Sequence, residues 1–215
     1  MTISRTDTVI VVGFLILVQG TGALAGFWLP AIAPEVGQSL GLSPSLIAYP
    51  VLILYIFAMV SSLMAGGIVR RFGAWRSSQA ALILIGVSHL MFMNGSLLFL
   101  ALGSIILGGA YGLLTPPASH LLSKIVTPKN RNLIFSIRFT GVPLGGILAG
   151  LLAPPVALEY GWRESMIVTI VISLVIAISM QPFRKRWDRD RLKSAKIFRN
   201  PISDICLVWK LSALK

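Results

Sequence analysis

Charged residues are scarce in this sequence. Only 12% of its 215 residues are charged, against roughly 25% in soluble domains, and 55% are hydrophobic. The charges are separated by five uncharged segments, at positions 8–34, 36–69, 77–123, 139–158 and 165–183. A helix that crosses a bilayer needs about 20 mainly apolar residues, so four segments hold one span each. The longest holds two, divided at the turn signal Met93-Asn94-Gly95-Ser96. We therefore predict an all-α integral membrane protein with six transmembrane helices, near 9–31, 45–69, 77–94, 97–121, 132–156 and 164–182.

Cysteine and intramembrane acids are also scarce. The single cysteine, Cys206, lies in the C-terminal tail and permits neither an internal disulfide nor a cysteine-rich metal site. All seven Asp and Glu fall in connectors or tails, so no carboxylate in a predicted span is available to carry a proton. There is no H-E-x-x-H or G-x-S-x-G motif, and the adjacent Ser88 and His89 point about 100° apart on a helix. We expect no metal, no cofactor and no enzymatic activity, an intramembrane protease included.

The positive charge is placed asymmetrically. The formal net charge is +12, and 17 of the 19 Lys and Arg lie before helix 1, after helices 2 and 4, or after helix 6. Short cytoplasmic loops collect Lys and Arg, so this pattern predicts a cell (inner) membrane protein with both termini cytoplasmic. This topology explains the high positive charge of the protein, so we do not expect nucleic-acid binding. We expect a six-helix bundle over 1–182 and a basic cytoplasmic linker over 183–215, suited also to contact with anionic lipid.

The first span also has features of a signal peptide. Residues 23–26, Ala-Leu-Ala-Gly, resemble a cleavage site. The apolar run continues past them through Phe27, Trp28 and Leu29, which is longer than a typical signal. We favour an uncleaved helix, and the mass of the mature protein distinguishes the two.

Similar segments recur at a fixed offset. Phe72-Gly73 after helix 2 matches Tyr160-Gly161 after helix 5, and the two glycines are 88 positions apart. The same offset relates Gly20 to Gly108, and residues 65–67 to residues 153–155. One offset equals one three-helix unit, and because three is odd the second unit enters the membrane from the opposite side. The sequence therefore predicts two inverted repeats, about 9–94 and 97–182, an arrangement typical of secondary transporters.

The connector "GGIVRRFGAWR" after helix 2 resembles the signature loop of the major facilitator superfamily, G-x-x-x-D-R-x-G-R-(R/K). Gly66, Arg71, Gly73 and Arg76 fall on or near its positions. Arg70 stands where the family has an acidic residue that helps latch the cytoplasmic gate, so this departure puts the gate in doubt. Helix 5, "FTGVPLGGILAG", is similar to the Gly- and Pro-rich helix 5 of many members, although its order differs.

The resemblance covers residues 1 to about 200, which is the N-terminal half of a twelve-helix fold. It implies transport of a small solute by alternating access, with substrate contacts on helices 1 and 4. A transport path in this family runs between two six-helix halves. The alternative is therefore a truncated, non-transporting fragment, or a scaffold that needs a second half or another copy of itself.

Arg138 is the charged residue placed inside a predicted span. It lies on the same helical face as the small residues Gly141, Gly145 and Ala149, which permit close helix packing. An intramembrane arginine is costly and commonly marks a substrate path. Pairing at a gate or within the structure, and snorkelling to the headgroups, are the alternatives. If Arg138 binds substrate, a guanidinium suits a carboxylate or phosphate, which favours an organic anion.

Other residues in the spans have weaker signals. Pro143 in helix 5 and Pro116-Pro117 in helix 4 each remove a backbone donor, and these breaks are hinges or simple kinks. We place Pro143 and Gly146 with the helix-packing residues. Gln19 and Tyr111 are substrate-path candidates on helices 1 and 4; interhelical hydrogen bonding is the alternative.

Three tryptophans, Trp28, Trp75 and Trp162, lie at predicted span ends. That position is typical of an aromatic belt at the membrane surface. His89, in helix 3, is predicted to be a packed neutral histidine.

Overall fold

The computed structural model describes residues 4–192, 194, 195 and 197, and this part of the chain is helical. Cys206 and the rest of the tail beyond residue 197 lie outside it. The α-helices are α1 (Arg5–Ala31), α2 (Ala33–Leu40), α3 (Ala48–Phe72), α4 (Ala74–Phe92), α5 (Leu97–Gly112), α6 (Thr115–Ile125), α7 (Arg131–Phe139), α8 (Gly141–Tyr160), α9 (Trp162–Ser179) and α10 (Arg184–Trp187). Short 3₁₀ turns occupy Pro44–Ile47 and Gln181–Phe183.

These helices form the six predicted spans. Spans 1, 2, 3 and 6 are α1, α3, α4 and α9, whereas span 4 is α5 with α6 and span 5 is α7 with α8. Five helical stretches are long and apolar enough to cross a membrane: Thr6–Ala31, Ser45–Phe72, Leu97–Ile125, Arg131–Tyr160 and Trp162–Trp187. The protein is therefore a multi-pass membrane protein.

Span 3, α4, is not among these five stretches and is more polar than the other spans. It carries buried Ser77, Ser78, Gln79, Ser88 and His89. Each of these side chains makes at least one hydrogen bond within the bundle; for example, the Ser77 hydroxyl donates to the Gly73 carbonyl at 2.7 Å. These polar side chains of α4 are shielded by neighbouring helices, so α4 can lie in the bundle although it is less apolar than the other spans.

Two pairs of helices approach closely through glycine. Span 1 packs along α8, and a Cβ on Gly145 would collide with the carbonyl oxygen of Gly20. Span 2 packs along α5, where a Cβ on Gly108 would collide with the carbonyl oxygen of Leu54. In two three-helix repeats, span 4 corresponds to span 1 and span 5 corresponds to span 2. The contact between spans 1 and 5 therefore corresponds to the contact between spans 4 and 2, and the structure shows both.

The glycines that end spans 2 and 5 have the same backbone conformation. Gly73 has φ 98° and ψ 151°, and Gly161 has φ 98° and ψ 148°. Such positive φ values strain other residues. The N–H of each donates to the carbonyl four residues earlier, and each carbonyl accepts the N–H of a serine four residues later. The prediction of two inverted three-helix repeats is confirmed.

The basic connectors meet at one end of the bundle. There, Arg186 pairs with Asp7, and the Lys124 ammonium donates to the Trp187 carbonyl at 3.3 Å. Gly95 and Arg163 lie together at the opposite end. Clustering of the basic connectors at one end is the arrangement that the charge pattern predicts.

The predicted aromatic belt is wrong. Trp28 and Trp75 have no exposed surface and Trp162 is 6% exposed. The indole N–H of Trp28 donates to the Ser165 hydroxyl at 3.1 Å, and that of Trp75 donates to the Met180 carbonyl at 2.7 Å. These rings join helix ends inside the bundle because their N–H groups find protein acceptors there.

Candidate functional site

Span 4 is broken between α5 and α6. Pro116 and Pro117 lie in the first turn of α6, so the carbonyls of Gly112 and Leu113 lose their usual donors. The N–H of Leu113 instead donates to the Ala110 carbonyl at 3.0 Å, a tighter turn than an α-helix makes. The sequence predicted the loss of two backbone donors. The structure shows that α5 ends and α6 begins at this point.

Span 5 is broken at Thr140. The Thr140 N–H donates to the Ile137 carbonyl at 3.2 Å, and α8 begins at the next residue. Pro143 fits in the first turn of α8, where backbone donors have no partner within the helix. Its side chain is exposed. Gly146 is half-buried, and the nearest atom that its Cβ would meet is 3.5 Å away, on Phe27. The close packing of α8 is at Gly141 and Gly145, each fully enclosed against span 1.

Arg138 lies between the two breaks and has no exposed surface. Its Nη2 donates to Gln19 Oε1 at 2.6 Å and lies 3.4 Å from both the Leu114 carbonyl and the Thr115 hydroxyl. The guanidinium is 4.7 Å from the centre of the Phe139 ring. One side chain of span 5 thus contacts span 1, the break in span 4 and the first residue of α6.

The charge of Arg138 is not neutralised by its contacts. Its hydrogen-bond partners among the described residues are all neutral. Its Nε and Nη1 are buried, and neither has a hydrogen-bond partner in the described part of the chain. A buried, uncompensated charge is unfavourable. Arg138 thus presents two nitrogens, Nε and Nη1, that have no partner among the described residues and to which an anion can hydrogen-bond.

The guanidinium lies one side-chain layer below the surface. Thr115 and Phe139, which contact it, are both exposed. Arg138 therefore neither snorkels to the surface nor lines an open cavity in this conformation. Access to it requires movement of these two residues or of the breaks that carry them.

The other two substrate-path candidates are placed differently. Gln19 is 4% exposed and is the direct partner of Arg138. Tyr111 lies in the last turn of α5, where its carbonyl accepts the N–H of Leu114 at the break. Its ring is half-buried, edge-on to Tyr55 with centroids 6.0 Å apart. It makes no hydrogen bond to Arg138 among the described contacts.

The connector after span 2 is a charged corner. Gly66 faces open space, and the exposed Arg70 guanidinium donates from Nε to its carbonyl at 3.3 Å. Arg71 lies 5.7 Å from the centre of the Phe72 ring. Gly73 supplies the turn, and Arg76 lies in the first turn of α4.

Sequence reasoning missed the acidic residue at this corner, Asp188. Its Oδ1 accepts the Trp75 N–H at 2.8 Å, and its Oδ2 accepts the Arg76 N–H at 3.1 Å. Arg76 Nε lies 3.9 Å from Oδ2. A carboxylate suits the N-terminus of a helix because the helix dipole is positive there. Burial raises the pKa of Asp188, while these two N–H groups and the Arg76 charge favour its ionised form.

Asp188 comes from the segment expected to be a linker. This segment contacts the bundle at Leu192, whose N–H donates to the Arg70 carbonyl at 2.8 Å, and at Ile197, whose carbonyl a Cβ on Gly67 would meet. The sequence contains three acids after residue 183, and nothing in their spacing identifies the one that caps α4.

The six spans, their inverted repeats and the broken helices define a membrane protein of the secondary-transporter fold class. Residues 13–211 match the family model of the Major Facilitator Superfamily. The chain belongs to that superfamily.

Two transporters share detectable sequence similarity with the chain. A gallate transporter of Pseudomonas putida is 27% identical over 160 residues, which cover 72% of this chain and 34% of that protein. A hexuronate transporter of Bacillus subtilis (strain 168) is 26% identical over 89 residues, which cover 40% of this chain and 21% of that protein. The chain spans about a third or less of the length of these relatives.

Solved structures support the fold. A mutant of the peptide transporter POT matches with a TM-score of 0.71 and 19% identity, over 94% of this chain and 44% of that one. The POT family transporter PepTSo matches with a TM-score of 0.61 and 17% identity, over 83% and 38% of the two chains. At these identities the likeness concerns the fold alone.

Proposed function

We propose that this chain forms the N-terminal half of a secondary transporter that moves a small organic anion, and that Arg138 binds the anion. The observation that carries the proposal is the fully buried Arg138 guanidinium: among the described residues its hydrogen-bond partners are neutral, and two of its nitrogen atoms have no partner. Nε and Nη1 lie on different edges of the guanidinium, so a carboxylate at one of them would neutralise the charge and a second acceptor oxygen of the substrate would satisfy the other.

The names of the two relatives favour the same substrate class. One is a gallate transporter and the other a hexuronate transporter. Gallate and hexuronates are both organic carboxylates. Transport by the family, rather than catalysis, is therefore the activity to test.

Arg138 lies where movement of the spans would expose it. It bonds to Gln19 on span 1 and approaches the Leu114 carbonyl at the break of span 4. Discontinuous helices at the substrate site are typical of alternating-access transporters. We infer that bending at the two breaks uncovers the guanidinium, with Gln19 and Tyr111 on the same path.

A second six-helix unit is needed to close a path over spans 1, 4 and 5, the spans that surround Arg138. We propose that this unit is a separate half or a second copy of the chain. The signature corner would then gate the cytoplasmic side. Gly66, Gly73 and the three arginines Arg70, Arg71 and Arg76 would form it, with Asp188 in place of the missing acid. The corresponding location is the cell membrane with both termini cytoplasmic.

Binding by the purified chain in detergent is the direct test. We expect gallate and glucuronate, but not the uncharged analogues pyrogallol and glucose, to raise its thermal unfolding midpoint. Arg138→Gln should abolish the shift. Arg163→Gln, at the other end of the bundle, removes the same charge outside the site and should leave the shift intact.

Gln19→Glu provides a second variant that tests the same atoms without removing the arginine. The new carboxylate, 2.6 Å from Nη2, would act as an internal counterion. We expect this variant to unfold at a higher temperature than the wild type and to lose the response to both acids. Equal shifts with acids and neutral analogues, or a full response in Gln19→Glu, would contradict the proposal.

Transport separates this proposal from the fragment alternative. Vesicles that contain the chain alone are expected to take up neither acid unless a second copy completes the path. Uptake by a chain that remains monomeric would refute the requirement for a second unit.

A further inference from the structure

A groove runs between α4 and α9 on the outside of the bundle. It has a volume of about 460 Å³ and changes character along its length. Its membrane-embedded part is apolar, with Ile83, Leu174 and Ile178 at 48%, 40% and 71% exposure. Its mouth is polar and carries Arg76 and Arg184.

The mouth opens directly into a basic basin. The basin also has a volume of about 460 Å³ and shares Arg76 and Arg184 with the groove. It adds three further cations and one acid: Lys185, Arg189, Arg191 and Asp188. Asp188 is directed to the N–H groups at the start of α4, so the basin keeps a large excess of positive charge.

One donor at the junction is unsatisfied. Arg76 Nε is buried without a hydrogen-bond partner in the described part of the chain, and the Asp188 oxygen lies 3.9 Å away. The polar side chains next to it, Gln79 and Gln181, bond to each other at 2.9 Å. These two glutamines therefore leave the Arg76 guanidinium without a neutral partner in the described part of the chain.

We propose that this groove and basin bind one anionic phospholipid. Its phosphate would lie among Arg76, Arg184 and Arg189, and one acyl chain would lie between α4 and α9. The charge and the shape agree: several cations surround the headgroup position, and a continuous apolar wall extends from it along two membrane-spanning helices. A soluble anion would use the basin but would leave the groove empty.

The site is distinct from that of Arg138. Arg138 contacts spans 1, 4 and 5, whereas the groove lies between spans 3 and 6. The lipid proposal is therefore independent of anion binding at Arg138, although Arg76 and Asp188 also belong to the signature corner.

Native mass spectrometry of the detergent-purified chain tests the proposal with three lipids of identical acyl chains. We expect dioleoyl phosphatidylglycerol to bind at one copy, and dioleoyl phosphatidylcholine and dioleoylglycerol to bind at least tenfold more weakly. Glycerophosphoglycerol and inorganic phosphate, which lack the chains, should not displace the lipid at equal concentration. Equal binding of the three lipids, or displacement by the chainless anions, would overturn the proposal.

Charge removal is tested with a matched pair of double variants. Arg184→Gln/Arg189→Gln removes two cations of the basin and should weaken phosphatidylglycerol binding about 25-fold, at roughly fivefold per cation. Lys129→Gln/Arg131→Gln removes two cations from the connector before α7 and should change binding less than twofold. Equal losses in both variants would mean diffuse charge attraction and no site.

Filling the groove is tested without changing any charge. Ala80→Trp places a ring in the groove, whereas Val175→Trp places one on the 59% exposed outer face of the same pair of helices. We expect only Ala80→Trp to reduce phosphatidylglycerol binding, while both variants elute as the wild type does. Unchanged binding in a folded Ala80→Trp variant would show that no acyl chain occupies the groove.

Discussion

Two aspartates hold the segment after α10 against the bundle, and each does so differently. Asp188 accepts backbone N–H groups at the start of α4. Asp190 accepts from side chains of α6, with Lys124 Nζ at 2.7 Å and His120 Nε2 at 2.8 Å. The sequence identified these acids only as parts of a basic tail, because their partners are more than 60 positions away.

The contact made by Asp190 is expected to depend on pH. Burial alone would raise the pKa of Asp190, but the hydrogen bonds from Lys124 and His120 lower it below the ordinary carboxyl value. A lowered pKa in the folded state stabilises the contact above the ordinary value of about 3.9. That stabilisation is lost as the pH falls through the lowered pKa.

Spin labels measure this loss. With Cys206→Ser as background, labels at Ser123→Cys and Leu192→Cys should give a narrow distance distribution from pH 7 to 5 that broadens below about pH 4. Asp190→Asn should be broad already at pH 7, and Glu159→Gln, in the last turn of α8, should behave as the parent. A narrow distribution in Asp190→Asn would show that the contact does not hold the segment.

Arg138 was found from the sequence because it is the one charged residue within a predicted span. The sequence left open whether it lines a cavity, pairs with another group or snorkels. The structure shows it buried with neutral partners. Exposure and partners depend on which helices pack beside it, and side-chain chemistry does not specify that.

Helix-to-helix distance is set by glycine at the contact of α1 with α8. A Cβ on Gly145 would meet the Gly20 carbonyl and, at 2.8 Å, the Ala23 Cβ. The periodicity of Gly141, Gly145 and Ala149 predicted this face from the sequence. The breaks at Leu113 and Thr140 were predicted only as lost donors, since a proline can kink a helix or separate two helices.

Alanine at two glycines of α8 tests the close contact. Gly145→Ala forces the helices apart and should destabilise the bundle by about 1–3 kcal/mol, the usual cost of overpacking. Gly150→Ala meets no atom within 4 Å and should be neutral or slightly stabilising, because alanine favours helix. Both are measured as thermal unfolding midpoints in detergent, and similar midpoints for the two variants would contradict glycine-limited packing.

At the scale of the whole molecule, the structure separates the connectors into two groups at opposite ends. Asp7, Lys124, Arg186 and Asp188 lie at one end, and Gly95 lies with Arg163 at the other. Internal packing fixes this grouping, whereas the side that faces the cytoplasm follows from the positive-inside tendency.

Cysteine labelling in intact cells tests the orientation. With Cys206→Ser as background, a membrane-impermeant maleimide should label Ser43→Cys, between α2 and α3, without permeabilisation. Lys129→Cys, between α6 and α7, should react only after permeabilisation. Labelling of both positions in intact cells would exclude the proposed topology.

The sequence alone determined that the chain crosses the membrane, how many times, and that its halves are inverted copies. Apolar length, charge asymmetry and a repeat offset can all be read along the sequence. An apolar segment buried in lipid has few alternatives to a helix, because its backbone polar groups must bond to each other. Only the tertiary structure decided that Arg138 has no counterion among its contacts, that Asp188 caps α4, and that a basic basin continues into an apolar groove. Each of these depends on atoms from distant parts of the chain, and packing alone brings them within a few ångströms.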